Sequence, residues 1–385
     1  MSYIGKTPTP APLTSSDITD GIITTTKIAD ANVTNPKLTS GSQQNFRNII
    51  INGDMSIAQR GTSFTGQTSA NYIVDRFTQT INGAIGTWTN GQSTEVPTGQ
   101  GFAKSLIMDC TTADASPAAN DILWVQQKIE GQNLQYLKKG TANAESLTAS
   151  FWVKSAKTGT YIAELEDRDN NRYVSKSYTI SSANTWEKKT VTFPGDTTGA
   201  FNNDNAESFR LNFWLGGGAT WTSGTLGTTW HTTAANRAVG QVNLADSTSN
   251  DWYVTGVQLE AGTTASDFEF LPVDVNLLRC RRYFEKSSNM NSALIATNEG
   301  VVTIRDGTAS TINRYYNIQY SVEKRATPTL TPYDIAGTTG KVRRDATNGA
   351  NGNVFSAGST CFNINTPSGV SHYGISFGWY ADAEL

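Results

Sequence analysis

The sequence predicts an all-β fold, and three observations carry that prediction. Short apolar runs are separated by clusters of Gly, Asn, Asp and Ser. The clearest run alternates strictly, with Phe209, Leu211, Phe213 and Leu215 on one side and Arg210, Asn212 and Trp214 on the other. Only 16% of the residues are charged, below the roughly 25% of an ordinary soluble domain. The polar surface comes instead from Thr and Asn, which favour strands and turns over helices. At 385 residues the chain has room for more than one folded unit.

Residues 1–45 read as an extended arm, with no aromatic between Tyr3 and Phe46. The arm holds a ten-residue repeat in which Ile18, Ile28 and Leu38 share one phase and Ile23 and Val33 another, accompanied by Asp20 and Asp30 and by Lys27 and Lys37. Two apolar positions per repeat cannot bury themselves within one chain. Ile18, Ile23, Ile28, Val33 and Leu38 are therefore expected to meet their copies around the axis of a homotrimer.

Residues 46–272 read as a two-sheet jelly-roll sandwich, with strands expected at 48–51, 105–108, 147–154, 161–166, 172–180, 190–193, 209–215 and 252–259. Residues 273–287 place Val275, Leu278 and Arg282, with Leu277, Arg281 and Phe284 beside them, at helical spacing, which predicts a connector helix. Residues 288–385 return to β patterns at 300–304, 315–322 and 373–379 and form a small tip domain. Few Leu and Ile there make a thin core that partner subunits would complete.

Lys+Arg 30 against Asp+Glu 33 leaves no basic field of the kind that displaces counterions from nucleic acid. No apolar run of about 18 residues predicts insertion into a membrane. No signal-peptide core is visible near the start, so a protein made in a cytoplasm and not secreted by the general route is expected. Cys110, Cys280 and Cys361 lie far apart, and His231 and His372 are the two histidines, which leaves little material for disulfide, zinc or His-based chemistry.

Alternation sends Arg210, Asn212 and Trp214 away from the core, and Trp152, Lys154, Glu164, Glu166 and Trp252 are expected to share that outward face. A flat ring beside planar polar side chains is the chemistry of sugar binding. Trp221 and Trp230, in the long Gly-rich segment 216–240, are expected to insert into a ligand or another subunit. Tryptophans packed on a neighbouring subunit are the competing reading. Glu164 and Glu166 stand two apart on one strand, about 7 Å from each other, a separation that glycoside hydrolases use. Solvated acidic strands are the commoner arrangement, and no catalytic residue is assigned.

Several strings resemble a module of tailed-phage fibre and minor tail proteins: NIIINGDMSIAQR at 48–60, Val74-Asp75-Arg76-Phe77, YVTGVQLEAG at 253–262, Phe268-Glu269-Phe270 and LLRCRRY at 277–283. Arg325-Ala326-Thr327-Pro328-Thr329 and Ala381-Asp382-Ala383-Glu384 resemble the tip that follows this module. Met1-Ser2-Tyr3-Ile4-Gly5 with the repeat resembles the virion-attachment arm of marine podovirus fibres. The resemblance implies a virion protein, usually trimeric, with an arm that docks on other tail or portal-proximal proteins through residues 1–45. It also implies a carbohydrate-binding-like jelly roll facing host surface polysaccharide. A purely structural tail or capsid component and a short polysaccharide depolymerase are the alternative functions. Family 4-type carbohydrate-binding jelly rolls often hold a structural calcium; Asp54 matches one acidic position, whereas Thr255-Gly256 stand where the second acid is expected.

Overall fold

A computed structural model of the chain describes residues 46–297, 299–310, 314–345, 347–366 and 372–385. Residues 1–45, and with them Ile18, Ile23, Ile28, Val33 and Leu38, lie outside the described residues. Twelve strands build the first part: β1 (Ser63–Gln67), β2 (Asn71–Val74), β3 (Phe77–Asn82), β4 (Thr87–Ser93), β5 (Ser105–Thr112), β6 (Ile122–Glu130), β7 (Leu147–Ser155), β8 (Gly159–Asp167), β9 (Arg172–Ile180), β10 (Glu187–Phe193), β11 (Glu207–Gly217) and β12 (Asp251–Ala261). They form two antiparallel six-stranded sheets, β1-β4-β5-β12-β7-β10 and β2-β3-β6-β11-β8-β9. The expected all-β sandwich is the observed fold.

The core lies between the sheets and follows the alternation. Phe209, Leu211, Phe213 and Leu215 of β11 meet Leu147, Ala149, Phe151 and Val153 of β7 in one buried cluster. The Phe151 and Phe213 ring centroids are 4.9 Å apart, edge to face. In β12 the pairing with β7 shifts between Thr255 and Gln258. Gly256 sits in that bulge at φ +62°, where an added Cβ would come 2.5 Å from the ring of Phe102. The bulge lets both Trp252 and Val254 before it and Val257 and Leu259 after it reach the core.

Residues 48–51 are not a strand. This segment runs between the sheets, with Ile49 donating to Leu259 in β12 and Ile51 exchanging bonds of 2.7 and 2.8 Å with the side-chain amide of Gln127 in β6. A chain that bridges two sheets cannot add to the ladder of either. The following turn is held by Asn52, whose side chain bonds Ile57 twice and the carbonyl of Asp75 once. Asp75 in turn accepts from the backbone of Gln59 at 2.8 Å. The strings at 48–60 and 74–77 are thus one interlocked knot at the edge of the sandwich.

After a short helical turn α1 (Ala219–Thr222), the second helix is α2 (Val273–Arg281). It stops short of the expected 287 because β13 (Phe284–Lys286) pairs antiparallel with β21 (His372–Asp382). The remaining strands are β14 (Val302–Ser310), β15 (Arg314–Gln319), β16 (Thr329–Tyr333), β17 (Lys341–Arg344), β18 (Thr347–Asn351), β19 (Asn353–Ala357) and β20 (Cys361–Thr366). β21 pairs with β13, β14, β16 and β17, while β15, β20 and β19 form a separate three-stranded sheet. Phe362, Ile364, Ile375, Phe377 and Trp379 anchor a second core there. Residues 46–385 pack as one compact unit. Arg60 and Arg76 of the sandwich both reach the carboxylate of Glu384, and Arg282 makes two 2.8 Å bonds to Glu130.

Candidate functional site

Arg210, Asn212 and Trp214 do lie on the face of β11 opposite the core, but that face is closed. Trp214 and Asn212 are both 0% exposed, and the expectation that they meet solvent is corrected. The segment after β11 folds back over them, pinned by Gly218 to Asp121, Ser175 to Gly227, Tyr173 to His231 and Val242 to Thr160 through the backbone. Trp214, Trp124, Ile122, Ile162 and Ala238 make a small second core beneath it, with Trp221 and Leu226 against it.

The polar residues of this face are consumed internally. Arg237, carried by the covering segment, gives 2.7 and 2.9 Å bonds to the two oxygens of Glu164 and one of 3.1 Å to Glu166. Asn212 donates to both carboxylates and Trp214 Nε1 to Glu164, each at 3.0 Å. The Arg237 guanidinium stands 5.4 Å from the ring centroids of Trp124, Trp214 and Trp221 and 4.0 Å from that of Tyr173. Burial pushes the Glu166 carboxyl up, but Arg237 and Arg210 outweigh it and hold it below its usual range. Glu164 and Glu166 are therefore buried ion-pair members, not solvated acids. Arg210 is partly buried and bonded to Glu207. Trp230 donates at 2.7 Å to the carbonyl of Pro194 and packs on the main core. Trp152, Lys154 and Trp252 belong to the opposite sheet, and Trp252 points into the core.

Asp54 Oδ1 accepts from Ser56 Oγ at 3.0 Å and from Asn276 Nδ2 at 3.1 Å; of these two partners the hydroxyl alone is an oxygen of the kind a hard cation needs. Burial raises the Asp54 carboxyl above the ordinary value. Among the described residues no group of three His, Cys, Asp or Glu side chains is placed to hold a metal. Cys110, Cys280 and Cys361 are unpaired.

An open cavity of about 520 Å³ lies elsewhere, where β6, the turn after it, the 46–51 segment and α2 converge. Its rim carries Tyr136, 51% exposed, and Phe46, 63% exposed. Tyr136 sits on a 3-10 turn (Gln135–Leu137) between the buried Leu134 and Leu137, both part of the main core, so its ring is held outward by a fixed frame. Gln132 and Asn133 are exposed on the 3-10 turn just before that one (Gly131–Asn133), and Arg279 of α2 lines the wall. The sequence reading missed this site. Arg279 stands inside the quoted LLRCRRY string, but nothing local marks Tyr136 or joins two segments some 140 residues apart.

No family model and no curated protein matches the chain. Among solved structures it is similar to the enzymatically active domain of tailspike protein 4 of bacteriophage CBA120, at 15% identity and TM-score 0.31 over 56% of this chain and 21% of that one. It is also similar to a family 61 carbohydrate-binding module in complex with β-1,4-galactotriose (10% identity, TM-score 0.28, 56% and 99% covered). A family 11 carbohydrate-binding module from Clostridium thermocellum, in complex with a mixed-linked tetrasaccharide, matches at 10% identity and TM-score 0.26, with 54% and 98% covered. The chain thus spans about a fifth of the length of that tailspike domain.

Proposed function

We propose that this protein is a receptor-binding component of a phage tail that holds host surface polysaccharide without cleaving it. The observation that carries the reading is the open cavity beside α2. Two exposed rings, Tyr136 and Phe46, flank planar polar groups from Gln132, Asn133 and Arg279. Sugars present apolar ring faces that stack on aromatics and hydroxyls that pair with amides and guanidinium, and a preformed cavity of roughly 300–1,000 Å³ suits a small ligand. Binding without cleavage is supported by the ion pairs of Glu164 and Glu166 with Arg237, which occupy the carboxylate pair that the sequence offered as catalytic material. The phage assignment, the homotrimer and the arm that fixes residues 1–45 to the virion rest on the sequence strings and the ten-residue repeat.

The test is saturation-transfer NMR and titration of the full chain with capsular or lipopolysaccharide glycans from bacteria that the phage infects. Saturable binding with no new reducing ends is expected, and Tyr136→Ala should weaken it by about tenfold, the loss of roughly 1.4 kcal/mol of stacking. Binding unchanged in Tyr136→Ala moves the site away from this cavity. New reducing ends would make the protein a depolymerase.

A further inference from the structure

The walls of this cavity are charged in one sense only. Arg76, Lys128, Arg279 and Arg282 line it, and no Asp or Glu does, although the chain as a whole has a net charge of -3. Three of the four cations are matched by carboxylates behind the wall: Arg76 by Glu384, Arg282 by Glu130 at 2.8 Å and Lys128 by Glu207 at 3.8 Å. Arg279 is not. Its single hydrogen bond is a 3.4 Å contact from Nη2 to the carbonyl of Asn48, and it forms no ion pair with a carboxylate among the described residues. Asn276 and Cys280 of α2 and Tyr283 just after it are buried, and Arg279 stands three residues from Asn276 and four from Tyr283 on the same flank; its head makes no ion pair, because the buried Glu269, which acts on it at longer range, accepts from the backbone N–H groups of Phe46 and Asn48. Burial pulls its guanidinium below the ordinary value.

A partly buried cation costs desolvation free energy that only an anion recovers. Arg279 has no carboxylate at ion-pair distance among the described residues, and a planar fork of N–H donors matches the two oxygens of a carboxylate. We propose that the cavity selects an acidic saccharide, with Arg279 receiving the carboxylate of a uronic or sialic acid unit while Tyr136 stacks on its ring. The proposal rests on the carbohydrate-binding reading above and names the ligand class for that site.

The experiment titrates the full chain with glucuronate, galacturonate and N-acetylneuraminate, with glucose and galactose as neutral counterparts and glucose 6-sulfate as a second oxyanion. At least one acidic sugar should bind tenfold or more tightly than its neutral counterpart, weaken with rising salt, and lose that margin in Arg279→Gln. Asn133→Asp, at an exposed rim position, adds a negative charge without touching the interior. It should lower acidic-sugar affinity at least several-fold more than neutral-sugar affinity, which keeps the test valid if Arg279→Gln fails to fold. Equal binding of acidic and neutral sugars, indifferent to both variants, overturns the selectivity and leaves the sugar site standing. Preference for glucose 6-sulfate over every carboxylate overturns the carboxylate assignment. No binding of any sugar removes the site and the selectivity together.

Discussion

Arg237 and Glu164 are locked face to face beneath the segment that follows β11: Nε and Nη2 of the guanidinium donate to the two carboxylate oxygens at 2.7 and 2.9 Å, with both side chains at most 5% exposed. This pair turns a sheet face that alternation would leave wet into an interior. It also couples the covering segment to β8, because Glu166, Asn212 and Trp214 all bond to the same group of charges.

Arg237→Met should therefore be severely destabilising, by about 3–5 kcal/mol, because it strands the buried carboxylate of Glu164, whereas Glu166 keeps its 2.8 Å pair with Arg168. Denaturant titration checks this, and a loss below about 1 kcal/mol would mean that water reaches Glu164 once the guanidinium is gone.

Trp214→Ala should behave as a core truncation, costing about 3–5 kcal/mol, and should leave saccharide affinity per folded molecule unchanged. A variant with native melting temperature but lost glycan binding would return Trp214 to the role that the sequence suggested.

The distance between those two outcomes shows what the sequence could and could not reveal. Period-two alternation correctly assigns Phe209, Leu211, Phe213 and Leu215 to the core, since facing sheets impose that period on every strand between them. The same alternation says only which way Trp214 points, not what lies above it. Its cover comes from Arg237 and Trp221, whose positions are set by long-range backbone bonds with no local signature. The 48–51 run, three Ile after an Asn, reads as a strand in the sequence, whereas its place between two sheets depends on Gln127, far along the chain. The cavity is hidden for the same reason: Tyr136 and Arg279 become neighbours only when α2 folds back on the sandwich.

Acid should destabilise the protein partly through Glu130. Burial pushes its carboxyl up, but bonds from Arg282 and Tyr283 outweigh this and hold it below its ordinary value of 4.5. A folded-state pKa below the unfolded one gives stability that is complete above about pH 4.5 and lost as pH falls through the folded value. Asp54 and Asp75, raised by burial, act in the opposite sense, so the clean measurement is a comparison. Melting temperatures from pH 7 to 3 should fall less steeply in Glu130→Gln than in the parent protein, and parallel curves would show that the Arg282 pair adds nothing.

Glu384 joins the final strand region to the sandwich through Arg60, at 3.3 Å, and Arg76, whose side chain is 1% exposed. Glu384→Ala leaves Arg76 buried without its carboxylate. Limited proteolysis should then cut within residues 288–385 at least several-fold faster while the 46–272 fragment stays resistant. Unchanged cleavage would mean that the β13–β21 ladder alone holds the two parts together.

Removing residues 1–45 should leave the rest folded. Both principal buried clusters are built from residues between Ile50 and Ala381, so the melting temperature of the 46–385 fragment should lie within a few degrees of that of the full chain. Its assembly should differ. If Ile18, Ile23, Ile28, Val33 and Leu38 cover one another around a threefold axis, light scattering of the full chain should give about three times 41.5 kDa, and the fragment should be smaller and fail to enter particles. A fragment that remains trimeric would place the subunit contacts on the β domains, and one that still enters virions would place the anchor there too. Each outcome is read from purified protein and particle composition, independently of any saccharide.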